Sequence, residues 1–185
     1  MFRQIQMWKN KFFFFLFFYL LNNNSFASSS QVKDTVLVSS SENVFIKYSV
    51  NAKVSATIRS KIYFQYDNGD AEFPSDIDIN VFDNKHELLM TIHANEAYRF
   101  DKKNLWLLRG DVEVFSFDSK KRRRQVNTEL LYWDQDKEII YNGHFVRIES
   151  DDFYATGNNF FARQNFSYYK MDKIDCTFYT DRDNL

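Results

Sequence analysis

Cysteine is almost missing from this chain. Cys176 is the only one in 185 residues. One thiol cannot form an internal disulfide, so the hydrophobic core must hold the fold by itself. Histidine is nearly as scarce: His86, His93 and His144 are scattered, and no HExxH, CxxC or tight His/Cys/Asp cluster occurs. Those are the spacings that zinc sites and metallohydrolases need. Only four glycines and one proline are present. There is no Gly-rich phosphate loop and no GxSxG elbow. Two acidic pairs remain, Asp76/Asp78 and Asp111/Glu113. Each pair lies two residues apart and alternates with Ile77/Ile79 or Val112/Val114, the polar-out half of a strand. A facing carboxylate pair for glycoside hydrolysis is the alternative use. No catalytic residue, metal ligand or cofactor is assigned.

Charge of one sign is also lacking. Lys plus Arg number 24 and Asp plus Glu 25, for a net charge of −1. The first 27 residues carry three of the positive charges and no acid, which leaves the remainder near −4. That balance points away from nucleic acid. One basic run stands out, Lys120-Lys121-Arg122-Arg123-Arg124, with Lys102 and Lys103 nearby in sequence. A solvated hairpin tip and an anion contact are both open readings.

What is abundant is aromatic: 21 Phe and 11 Tyr, residues that favour a pleated, half-buried surface. Period-two alternation runs through Val44-Ile46-Tyr48, Ile77-Ile79-Val81, Val126-Thr128-Leu130-Tyr132 and Ile174-Cys176-Phe178. Asp67-Asn68-Gly69-Asp70 is the strongest turn signal, and Pro74 interrupts a ladder. About a dozen short strands follow, with no convincing helix, so an antiparallel jelly roll, sandwich or open barrel is expected. Cys176 sits in the last alternating run and reads as a small buried hydrophobe. Residues 95–115 and 128–148 echo each other: Glu96 with Glu129, Phe100 with Trp133, Asp101 with Asp134, and Gly110 with Gly143, each offset by 33. A repeated hairpin unit that buries its apolar face against neighbours fits this echo, and a soluble α/β enzyme does not.

The N-terminus has its own pattern. Arg3, Lys9 and Lys11 precede Phe12–Leu21, ten apolar residues in a row, and Ser25-Phe26-Ala27 offers small residues for cleavage after Ala27. This reads as a secretory signal peptide, with a retained membrane signal-anchor as the alternative. Ten helical residues span about 15 Å, half of a ~30 Å hydrocarbon core. The expected division is 1–27 leader, 28–40 polar linker, 41–180 β domain and 181–185 polar tail.

The stretch TELLYWDQDKEIIYNGHFVRIESDD at 128–152 resembles the LptC family of lipopolysaccharide-export components, in a Bacteroidetes-like form. NLWLLRGDVEVF at 104–115, FPSDIDINVFDNKHELLMTIHANEAYRF at 73–100 and GNNFFARQNFSYYKMDKIDCTF at 157–178 extend the resemblance in order, and ENVFIKYS at 42–49 fits the opening strand more weakly. It implies an all-β fold, an open antiparallel β-jelly roll in the periplasm at the inner membrane. It implies non-enzymatic transfer of lipopolysaccharide from an inner-membrane ABC transporter to a periplasmic bridge protein. Acyl chains would lie against Ile79, Val81, Leu89, Trp106, Leu108, Val112, Val114, Phe145 and Ile148. Val44, Ile46 and Tyr48 would form the transporter-side edge, and Ile174, Cys176 and Phe178 the bridge-side edge. Lys120, Lys121, Arg122, Arg123 and Arg124 would meet lipid phosphate or headgroups. Gly110, Gly143 and Gly157 match family glycines, whereas Asp76 stands where the family often has one. Without the resemblance, a secreted structural or adhesion β-sandwich remains the other reading.

Overall fold

The computed structural model describes residues 35–50, 52–117 and 123–179, all within one compact unit, Thr35–Leu185. The leader, residues 28–34 of the linker, the tail, and Lys120, Lys121 and Arg122 lie outside the described residues. The strands in order are β1 (Leu37–Val50), β2 (Lys53–Tyr66), β3 (Ala71–Phe73), β4 (Ile77–Phe82), β5 (Leu88–Ala94) and β6 (Glu96–Phe100). They continue with β7 (Leu105–Phe117), β8 (Arg123–Asp134), β9 (Ile139–Tyr141), β10 (Phe145–Ser150), β11 (Phe153–Arg163) and β12 (Tyr169–Phe178). All twelve belong to one antiparallel sheet. A single 3-10 turn, Asp101–Lys103, is the helical content of the described residues. β1 begins at Leu37, inside the stretch read as linker.

Long strands exchange partners halfway along. β2 pairs with β4 through Ala56–Ser60 and with β3 through Phe64 and Gln65. β7 pairs with β6 through Leu105–Arg109 and with β5 through Glu113–Ser116. β8 gives one half to β10 and the other to β9, and β11 does the same. The exchanges fall on a line of bends, marked by positive φ at Asn43, Asp76, Gly110, Asp111, Asn159 and Lys173. At Gly110 (φ 70) β7 gains residues against β8 between Arg109 and Val112, a bulge. A Cβ there would meet Asn95 Nδ2 at 2.9 Å, so both the backbone and the neighbour demand glycine. Asp76, where a family glycine was expected, keeps a positive φ of 28 and is paired to Lys61. An aspartate tolerates that region better than most residues, so the bend survives the replacement.

The bends switch which parity faces the core. In β8, Val126 and Thr128 are buried, but beyond the bend the buried residues are Leu131 and Trp133. Leu130 and Tyr132, expected to continue the run, lie on the other face, half-buried. In β11 the switch occurs at Asn159, between Gly157 and Phe160. The hairpin echo is likewise real in structure but slips by one. Phe100 pairs with Leu105, and Asp134 with Ile139, so equivalent positions lie 34 residues apart, not 33.

The buried side chains form one continuous core, drawn from β2 to β11 and the turn after it. Trp106 stacks between Phe73 (5.6 Å) and Trp133 (6.0 Å). Each indole N–H donates to a glutamine Oε1, Trp106 to Gln135 (3.0 Å) and Trp133 to Gln164 (2.8 Å). The buried polar handles are thus satisfied. Burying one side chain such as Ile79 contributes roughly 1.5–3 kcal/mol.

Candidate lipid-facing interior and strand edges

Seven of the nine interior candidates enter that core. Ile79, Val81, Trp106, Leu108, Val112, Val114 and Ile148 are all buried. Two face elsewhere. Phe145 is 59 % exposed, because Val146 and Ile148 take the inward parity of β10. The 33-residue echo sets Phe145 against Val112; the 34-residue register sets Val146 there instead. Leu89 has the opposite parity to Met90 and Ile92 and is half-buried, on a groove rather than in the centre. Sequence reasoning missed Phe73, Trp133, Phe160 and Phe166 in the same core. For Phe73 the signal was available: with Ala71 it forms a short alternating pair before Pro74. Phe166 had none, since it lies in a turn.

Two strands end the sheet. β1 pairs with β2 and β12 with β11, and among the described residues neither pairs with a further strand. Their outer rows of backbone N–H and C=O face away from the sheet, as edge strands do. Val44, Ile46 and Tyr48 lie half-buried on the core face of β1, opposite Ser60, Ile58 and Ala56. The Arg99 guanidinium sits 5.3 Å from the Tyr48 ring and also holds Asp101 at 2.6 Å. Burial is the main reason the Tyr48 hydroxyl is shifted above the ordinary tyrosine range, against the pull of Arg99.

β12 differs. Cys176 pairs with Ala155, and Phe178 with Phe153, so both belong to the face that buries Ala155. Yet Ile174, Cys176 and Phe178 are all exposed. The alternation holds and the burial does not: among the described residues no element covers this row. Cys176 is therefore an exposed thiol, not a buried hydrophobe. Gly157 permits the close approach of β12, since a Cβ there would meet Asp172 O at 2.7 Å. Gly143 has no such constraint, with Asn159 Oδ1 at 3.9 Å.

The basic run divides. Arg123 donates to Gln125 Oε1 and lies 4.7 Å from the Phe115 ring. Arg124 donates to the carbonyl of Phe166 (3.1 Å) and lies over the Tyr169 ring. These two are tied into the fold rather than forming a free tip; Lys120, Lys121 and Arg122 lie outside the described residues. The carboxylates weighed for catalysis are each engaged. Asp76 pairs with Lys61 and Asp78 with the His93 ring (2.8 Å). Asp111 accepts from Asn95 and Glu113 from Asn127. Among the described residues no group of three or more His, Cys, Asp or Glu is placed to hold a metal. No helix there is long and apolar enough to cross a membrane.

The family model described as lipopolysaccharide-assembly, LptC-related matches residues 12–165. The chain belongs to the LptC family. No curated protein matches it. LptC membership gives a role in lipopolysaccharide transport, association with the periplasm and inner membrane, and a general place in the export pathway. It is also consistent with a non-catalytic part.

Proposed function

We propose that this LptC-family chain is an open β-jelly roll that accepts lipopolysaccharide from an inner-membrane ABC transporter. It passes the lipid, without catalysis, to a periplasmic jelly-roll bridge protein. The leader, as signal peptide or anchor, delivers the domain to the periplasmic side of the inner membrane. The observation that carries this reading is the uncovered apolar row Ile174, Cys176 and Phe178 on an edge strand. A bridge protein adding a strand to β12 would satisfy the free backbone groups and cover that row together. β1, with Val44, Ile46 and Tyr48, is the edge offered to the transporter. Acyl chains would lie among Trp106, Leu108, Val112 and their neighbours, at ~0.8 kcal/mol per buried CH₂. Residues 120–122 would meet lipid phosphate, a contact that weakens with salt.

Deleting residues 172–185 tests the reading. Capture of the bridge protein should be lost while transporter association persists; loss of both would make β12 a structural strand. In the same cells, a photo-crosslinker at Trp106 should form a lipopolysaccharide adduct and one at the outward Phe145 should not. With Lys120, Lys121 and Arg122 changed to Gln, adduct yield at low ionic strength should drop. Equal adducts at Trp106 and Phe145, or none at either in a folded protein, would leave the interior as an ordinary core.

A further inference from the structure

A filled core poses a problem for a lipid carrier, because something must leave before an acyl chain enters. The core side chains Phe73, Trp106, Val114, Trp133, Ile140 and Phe160 are all carried on strands, as are the rest of that cluster apart from one. The exception is Phe166, 2 % exposed, in the turn between β11 and β12. Strand residues are held by ladders on both sides. Phe166 is held by its own N–H to Arg163 O (2.8 Å) and by Arg124, which reaches from β8 to its carbonyl (3.1 Å). Its φ is 53, a left-handed region that a bulky side chain enters only with backbone strain. It is the one residue of that cluster not held in a strand ladder, and its turn is closed by Arg163 N–H to Tyr168 O (2.9 Å), Gln164 N–H to Glu138 O (2.8 Å) and the Trp133 indole N–H to Gln164 Oε1 (2.8 Å).

The same turn walls a groove of about 980 Å³. Asn165 and Ser167, the neighbours of Phe166 on either side, line it. Its apolar surface comes from Phe82, Leu89, Ile139, Phe161 and Tyr168, contributed by the β4–β5 hairpin on one side and by β9, β11 and the turn on the other. The turn thus has a groove against its flanking residues and the Phe166 ring in the core, 6.4 Å from the ring of Phe160.

We propose that Phe166 is a stopper. An acyl chain of the cargo enters by the groove, the turn swings out, and the chain occupies the place of the ring. This rests on the lipid-carrying reading above and adds the route of entry. An acyl chain fits because the site it inherits is one an aromatic ring already fills, in an apolar core with Trp106 and Trp133 in the same cluster.

The test uses the full chain with Trp8→Phe, so that emission comes from Trp106 and Trp133 alone. Dibromostearate, whose bromines quench indole on contact, is the probe. Phe166→Ala should raise the rate of quenching by about a hundredfold, as expected for a lost buried ring. Arg124→Gln, which keeps the ring and loosens its hold, should raise it by about tenfold. Ile92→Ala, an equally buried strand residue, should leave the rate as in the parent. If Ile92→Ala accelerates quenching as much as Phe166→Ala, entry follows general loosening and the stopper is overturned. The same holds if neither Phe166→Ala nor Arg124→Gln changes the rate while the parent is quenched; acyl binding then stands by another route. Quenching absent in every form would overturn both the stopper and the acyl-binding reading.

Discussion

The two edge strands of the sheet are held in different ways. β1 is fastened by its side chains: Ile46 and Tyr48 pack against the core, and Arg99 crosses from β6 to the Tyr48 ring. β12 is fastened mainly by its backbone ladder to β11, with only Tyr169 and Met171 at its start packed on the core. From Asp172 to Phe178 every residue is exposed. An edge anchored through side chains belongs to the fold. An edge anchored mainly through its ladder, with its apolar row exposed and only Phe178 in ring contact with Phe153 (6.3 Å), is suited to exchange with or extension by another sheet. The difference puts side-chain anchorage at one end of the sheet and mainly backbone anchorage at the other.

Matched truncations should expose the contrast most strongly. Tyr48→Ala removes a half-buried ring and the partner of Arg99, and should cost about 2–3 kcal/mol in urea unfolding. Phe178→Ala removes an equally large ring from β12, 71 % exposed, and should stay within about 0.5 kcal/mol. Similar losses at both sites would mean that β12 is as firmly built in as β1.

How much of this could be read from the chain follows the same division between local pattern and tertiary context. Period two located the strands, and the Asn68-Gly69 turn and the break at Pro74 fell between strands as expected. What failed was parity across bends. Strict period two puts Leu130, Tyr132 and Phe145 on the wrong face because a bend flips the inward set, and a one-residue error in the repeat moves every side chain to the other side. Cys176 shows a different limit. Its face was correctly read, but whether another layer covers that face is not written in the strand itself. The stopper was invisible for a third reason: Phe166 belongs to a turn, where periodicity has nothing to say.

The attachment of β12 can be sharpened from its partner strand. Gly157 lets Asp172 O and Met171 Sδ approach to 2.7 and 2.9 Å of where a Cβ would stand. Gly157→Ala forces β12 away and should cost about 1–3 kcal/mol of overpacking. It should also raise hydrogen exchange selectively at residues 169–178. Gly143→Ala, with 3.9 Å of clearance, should be close to neutral. Exchange that rises in β1 as well would show that the two edges are coupled and break the comparison.

A final test lies on the β1 side and is the smallest. Tyr98 donates to Asp70 (3.2 Å), Asp70 accepts from the Asp101 N–H (2.9 Å), Asp101 holds Arg99, and Arg99 faces Tyr48. Burial, then the charge and hydrogen bond of Asp70, push the Tyr98 hydroxyl up to about 12 from the ordinary 10. A raised value means that the fold prefers the protonated phenol. Its contribution is complete below pH 10 and is lost as pH rises toward about 12, where the unfolded chain has already released the proton. Urea midpoints should therefore fall across that window, and Tyr98→Phe should flatten part of the fall. The loss should appear in the exchange of β1 before β12, since the relay ends at the Tyr48 ring on β1. An equal slope in Tyr98→Phe, or exchange that rises first in β12, would detach the relay from the edge it is argued to support.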